Sequence, residues 1–105
     1  MVRAVRLSRE LEDRFPESRE AVTTHLSLGL LYLQQGANAD ALLEFRRYRA
    51  VGAPSTMPDA LWGESRALRQ LGRVAEERAV LEELLDRYPS SAYAAAARRR
   101  LTELR

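Results

Sequence analysis

Cysteine is absent from the 105-residue chain, which excludes disulfides and thiolate metal sites and leaves the redox compartment open. Histidine occurs once, at His25, and no carboxylates stand at ligand spacing around it. Its place on an apolar helical stretch points to a packing or hydrogen-bonded role. The five glycines and four prolines are scattered, so there is neither a flexible linker nor a low-complexity tract. An excess of one charge is also missing: 17 basic residues face 15 acidic ones, for a net charge of +2. The pI near 9.5 therefore reflects arginine rather than a large positive surplus. No basic patch interleaved with aromatics is present, and no nucleic-acid partner is expected. The longest weakly charged stretch, Ala21 to Phe45, is broken by His25, Asp40, Glu44, Gly, Gln and Asn, so direct membrane insertion is not expected. The opening MVRAVRLSRELEDRF lacks an apolar signal core and a small-residue cleavage site, so any export signal would lie upstream of Met1. There is no glycine-rich phosphate loop and no nucleophile elbow around Ser27, His25 or Asp40, and the chain reads as non-catalytic and cofactor-free.

What is present is helix. With 46% hydrophobic residues the chain suits one domain with a modest core. Leu26, Leu28, Leu30, Leu31 and Leu33 predict a helix that is apolar almost all round and buried on both sides. Gly36 closes it, and Ala41, Leu42, Phe45 and Tyr48 predict a second helix folding back on the first. Upstream, Val2, Val5, Leu7 and Leu11 mark a helix over 2–14 that stops at Phe15-Pro16, with Ser18 capping the next. Downstream, Thr56 caps a helix with Pro58 in its first turn and Asp59 in the capping-box position. That helix carries Leu61, Trp62 and Leu68 to Gly72. A fifth helix presents Ala79, Leu81, Leu84 and Leu85 before Tyr88-Pro89, and Ser90 or Ser91 caps a last one, AYAAAARRRLTEL. The acids Glu10, Asp13, Glu76, Glu77, Glu82 and Glu83 read as solvated helix faces. Arg98-Arg99-Arg100 complements a helix C-terminus.

The pattern repeats. Gly36 and Gly72 lie 36 residues apart, and aligning them pairs Gly29 with Ser65, Tyr32 with Leu68, Phe45 with Leu81 and Tyr48 with Leu84. Phe15-Pro16-Glu17-Ser18 and Tyr88-Pro89-Ser90-Ser91 match 73 residues apart. Two helices per period of this length read as a helical solenoid.

On these residues the chain resembles the tetratricopeptide repeats. Leu28-Gly29, Tyr32, Gly36, Ala41, Phe45 and Pro54 stand near that family's preferred residues. The phrase Arg87-Tyr88-Pro89-Ser90-Ser91-Ala92-Tyr93-Ala94 is similar to repeats of bacterial Tol–Pal-associated and outer-membrane-assembly lipoproteins. That similarity points to the cell envelope or periplasm, while the chain itself is equally compatible with the cytoplasm. The resemblance implies an all-α fold of about six helices in a short right-handed solenoid. Residues 1–16 would be the second helix of a partial repeat, 18–54 and 56–89 two repeats, and 90–105 the first helix of a partial or capping repeat. Glu77 and Arg78 depart from the pattern, which wants small and apolar residues there. Gly52 stands where Pro16 would align.

The family's first helices line a concave face, so the resemblance implies a protein- or peptide-binding surface. It would be built from Leu26, Leu30, Leu33 and Thr23, then Trp62, Arg66, Arg69 and Gln70, then Tyr93, Ala97 and Arg100. Aromatics beside arginines are the residue types that dominate interfaces. The peptide-carboxylate clamp of co-chaperone repeats is not matched. Two alternatives stand beside this reading: a self-associating module forming a homo-oligomer, and an anion- or nucleic-acid-binding helical domain, which the near-neutral charge opposes.

Overall fold

The computed structural model describes residues 19–104, with side chains from residue 24 onward. The helix expected over 2–14, its Phe15-Pro16 stop, the Ser18 cap and the side chain of Thr23 lie outside the described residues. Five α-helices follow one another: α1 (Arg19–Gln34), α2 (Asn38–Val51), α3 (Met57–Gln70), α4 (Val74–Arg87) and α5 (Ala94–Glu103), with a 3-10 turn at Pro54–Thr56 before α3. Among the described residues there is no strand. Each helix packs on the next, and α1 also touches α3. The result is two stacked hairpins and a further helix, a helical solenoid.

The two hairpins close identically. Gly36 and Gly72 have φ of 77° and 73°, the left-handed region where a side chain would be strained. Around Gly36, the Ala37 amide donates to the Tyr32 carbonyl at 2.9 Å and the Gly36 amide to Leu33 at 3.2 Å. Around Gly72, the Arg73 amide donates to Leu68 at 3.0 Å and the Gly72 amide to Arg69 at 3.1 Å. This pair of hydrogen bonds satisfies two of the last carbonyls of each first helix and turns the chain back. The 36-residue period is thus written in hydrogen bonds.

The core runs through the hairpins as one cluster that includes Ala41, Phe45, Tyr48, Leu61, Leu68, Leu81, Leu84 and Ala97. Phe45 is its centre. Its ring lies between α1 and α3, so close that a Cβ on Gly29 would come within 2.7 Å of it and one on Gly63 within 2.4 Å. Two helices approach one aromatic ring because each offers a glycine there. Gly52 is needed for the same reason, since a Cβ there would meet the Tyr48 ring at 2.4 Å.

The interior is also charged. Glu44, Glu64 and Glu77 are each 1% exposed. His25 Nδ1 donates to Glu44 Oε2 at 2.7 Å, and Arg47 reaches the other oxygen at 3.4 Å. Glu64 accepts from Arg49 at 2.9 Å and from Arg46 at 3.4 Å. Arg49 continues to Glu83 at 2.5 Å, which also accepts from Arg87 at 2.9 Å. Burial works against the Arg49 charge, but Glu64 and Glu83 outweigh it and hold the guanidinium pKa above its usual value. Such pairs roughly offset their own desolvation, so their larger effect is to penalise any packing that separates them.

Several local expectations yield to tertiary contacts. The inner face of α1 belongs to His25 and Gly29; Leu26, Leu28, Leu31 and Leu33 are half-buried and Leu30 is 46% exposed, so the helix is not buried on both sides. Thr56 sits at the N-cap of α3, but its hydroxyl donates to the Ala53 carbonyl at 3.3 Å and accepts from Tyr48, and no side-chain cap forms. Asp59 accepts from Tyr93 instead of completing a capping box. Helix α5 starts at Ala94 with Tyr93 at its cap position, so neither Ser90 nor Ser91 caps it. Ala79 is exposed, and Val80 takes the buried place.

Candidate functional site

Helix α3 packs on α2 and α4 and also touches α1. Between α3 and α5 lies a hollow of about 340 Å³ lined by Trp62, Ser65, Arg66, Arg69, Gln70, Glu77 and Arg100. A second hollow of about 170 Å³ lies between α1 and α3, lined by Leu33, Gln34, Gly36, Asn38, Arg66 and Gln70. Arg66 and Gln70 border both, so the two hollows adjoin along α3, and together they are called the trough below. Of the residues expected at a partner surface, Leu33, Trp62, Arg66, Arg69, Gln70 and Arg100 line it. Leu26 packs against the core, and Leu30 stands exposed one turn before Leu33. Tyr93 backs Trp62 and Ala97 is fully buried; neither lines the trough.

The wall at Trp62 is held from behind. The Tyr93 ring stacks on the indole with centroids 5.8 Å apart and planes 15° from parallel. The Tyr93 hydroxyl donates to Asp59 Oδ1 at 2.5 Å, tying the start of α5 to the start of α3. That bond to a carboxylate, and then burial, raise the phenol pKa above its ordinary value. Trp62 is therefore fixed on one side and faces the trough on the other.

Glu77, expected as a solvated helix acid, is buried in the floor and bonded to another helix. Arg100 Nε meets Glu77 Oε2 at 2.6 Å and Nη2 meets Oε1 at 3.1 Å, a two-pronged pair. The remaining Nη1 donates to Glu103 at 3.1 Å. Its hydrogen bond to Glu77 leads the interactions that raise the Arg100 pKa, and burial opposes them. Arg100 is thus part of the wall, with its guanidinium engaged. Arg66 and Arg69 differ: both are exposed, and among the described residues neither has an ion-pair partner. Each arginine of α2, by contrast, pairs with a glutamate.

Ser65, Gln34, Asn38 and Glu77 also line the trough without having been expected there. The signal for Gln34 was the repeat itself, since it lies 36 residues before Gln70. For Glu77 it was the break in the small-residue pattern. Chemically the trough offers an indole surface, two guanidinium groups without an ion-pair partner among the described residues, and several amides that can both donate and accept. Such groups can stack, hydrogen-bond and pair with acids. Among the described residues no group of three or more histidines and carboxylates could hold a metal.

The profile of the tetratricopeptide repeat matches residues 3–56 and again residues 26–92. The chain belongs to the tetratricopeptide repeat family. Members of that family are in general protein–protein interaction modules and typically non-enzymatic scaffolds. Residues 26–56, common to both matches, hold most of α1 and all of α2. Comparison with curated proteins gives no match. No described helix is long and apolar enough to cross a membrane.

Proposed function

We propose that this tetratricopeptide domain binds a peptide segment of a partner protein in the trough across α3, as a non-catalytic bacterial scaffold module. The observation that carries the reading is the pair of adjoining hollows along α3, one lined by Trp62, Arg66, Arg69 and Gln70 and the other by Leu33, Arg66 and Gln70. Its walls are pre-organised by the Trp62–Tyr93 stack and the Glu77–Arg100 pair, so little ordering cost falls on binding. The similarity of the Arg87–Ala94 phrase to envelope lipoprotein repeats supports a bacterial setting. Self-association through α5 is less well supported, because Ala95, Arg98, Arg99 and Thr102 make its exposed side largely polar.

A displayed random-peptide library selected on the wild-type domain tests the reading. Peptides retained by the wild type are expected to lose binding to a folded Trp62→Ala/Arg66→Ala variant. Selected peptides that bind this variant equally well contradict the proposal, as does a library that yields none.

A further inference from the structure

Resting on that reading, we infer that the preferred partner segment has two chemically distinct parts: a neighbouring pair of carboxylates held by Arg66 and Arg69, and large apolar side chains laid along Leu30 and Leu33. Positions 36 residues apart occupy equivalent places on α1 and α3, which sets Leu30 against Arg66, Leu33 against Arg69 and Gln34 against Gln70. The two first helices therefore show the same face with opposite chemistry, apolar on α1 and cationic on α3.

Among the described residues these cations have no ion-pair partner. Arg66 and Arg69 stand three residues apart on one helix, which makes them surface neighbours whose like charges repel. Their charge is left for something outside the described residues, since Glu77, the carboxylate in the trough, is occupied on both oxygens by Arg100. With Arg66, Arg69 and Arg100 against Glu77, the trough has a net charge of +2, which two carboxylates neutralise. Side chains one helical turn apart are separated by about 5–6 Å, and alternate side chains of an extended strand by about 7 Å, so a carboxylate pair of either form meets this arginine pair. On α1, Leu30 is 46% exposed beside Leu33, giving the apolar part of the segment a surface to cover. Arg100 takes no part in anion recognition, because its guanidinium is already engaged.

Trp62 is the only tryptophan and lines the trough, so its fluorescence reports occupancy directly. The probes are a capped synthetic peptide with a Glu-x-x-Glu pair beside a Leu-x-x-Leu pair, and the same peptide with glutamine for both glutamates. The glutamate peptide is expected to shift Trp62 emission, to bind more weakly as salt rises, and to bind roughly tenfold or more tighter than the glutamine peptide. Arg66→Gln/Arg69→Gln should abolish that preference. Arg98→Gln/Arg99→Gln removes as much charge away from the trough and should leave the preference intact. Equal binding of the two peptides overturns the inference while leaving a peptide-binding trough standing. Equal weakening by the two double variants overturns it by showing that net charge alone acts. If neither peptide binds although library-selected peptides do, the inference fails and the broader reading survives.

Discussion

In the first hairpin, α1–α2, the interior at positions 25 and 44 holds a histidine and a glutamate bonded to each other. Thirty-six residues on, the second hairpin, α3–α4, holds Leu61 and Val80 in those places, both buried. Elsewhere the exchange is reversed. Leu28 and Ala41 of the first hairpin become Glu64 and Glu77 in the second, and both carboxylates leave their own hairpin to find partners. Glu64 reaches back to Arg46 and Arg49 on α2, and Glu77 reaches forward to Arg100 on α5. Among the described residues Glu44 is bonded within its own hairpin, whereas Glu64 and Glu77 tie their hairpin to its neighbours. A shared backbone thus tolerates different chemistry at equivalent sites, provided each buried carboxylate has a donor.

The largest expected effect breaks the apolar side of this comparison. Phe45→Ala should cost about 3–5 kcal/mol in urea unfolding, because the ring fills the space that Gly29 and Gly63 leave. Leu81→Ala, at the equivalent place, removes a smaller side chain and should cost less. Next, Arg100→Ala strands the Glu77 carboxylate and should destabilise by about 3 kcal/mol. Glu77→Gln keeps the volume and leaves Arg100 beside Glu103 and solvent, so its cost should be nearer ~1 kcal/mol. Equal costs for these two changes would mean that the buried carboxylate is not what Arg100 serves.

Exchanging chemistry between the hairpins sharpens the comparison further. His25→Leu/Glu44→Val gives the first hairpin the second's residues and should be neutral or stabilising by about 1–2 kcal/mol. Glu44→Val alone, which deprives the buried His25 of that carboxylate, should destabilise. A double variant less stable than Glu44→Val alone would refute the equivalence of the two interiors. The smallest effect concerns the joint to α5. Tyr93 has its pKa raised, so it contributes stability that is fully present below the ordinary phenol value of 10.0 and is lost as pH rises through the higher folded value. Tyr93→Phe should flatten that alkaline loss when unfolding is followed across pH.

Much of this architecture was legible locally. A glycine that must adopt positive φ announces itself wherever an apolar helical run ends, so both hairpin closures could be placed from Gly36 and Gly72. Phe45, Leu81, Tyr48 and Leu84 were legible through their spacing. Glu64 and Glu77 were not, because a glutamate in a helix ordinarily faces water, and only the arrival of Arg49 or Arg100 from another helix makes burial tolerable. The caps depart from the local pattern for a related reason: Thr56 and Asp59 have partners in Ala53, Tyr48 and Tyr93 that no local pattern contains. In the trough, Arg66 and Arg69 could be named from the sequence. Their difference from Arg100 emerged only once Arg100 was found engaged by Glu77.

The trough is tested most directly by mapping backbone amide shifts of the labelled domain as a library-selected peptide is added. The account predicts changes concentrated on Leu30 to Asn38 and Trp62 to Gln70, with the Trp62 indole among the largest, while the outer sides of α2 and α4 stay quiet. Shifts centred on α2 and α4, with Trp62 unmoved, would contradict it.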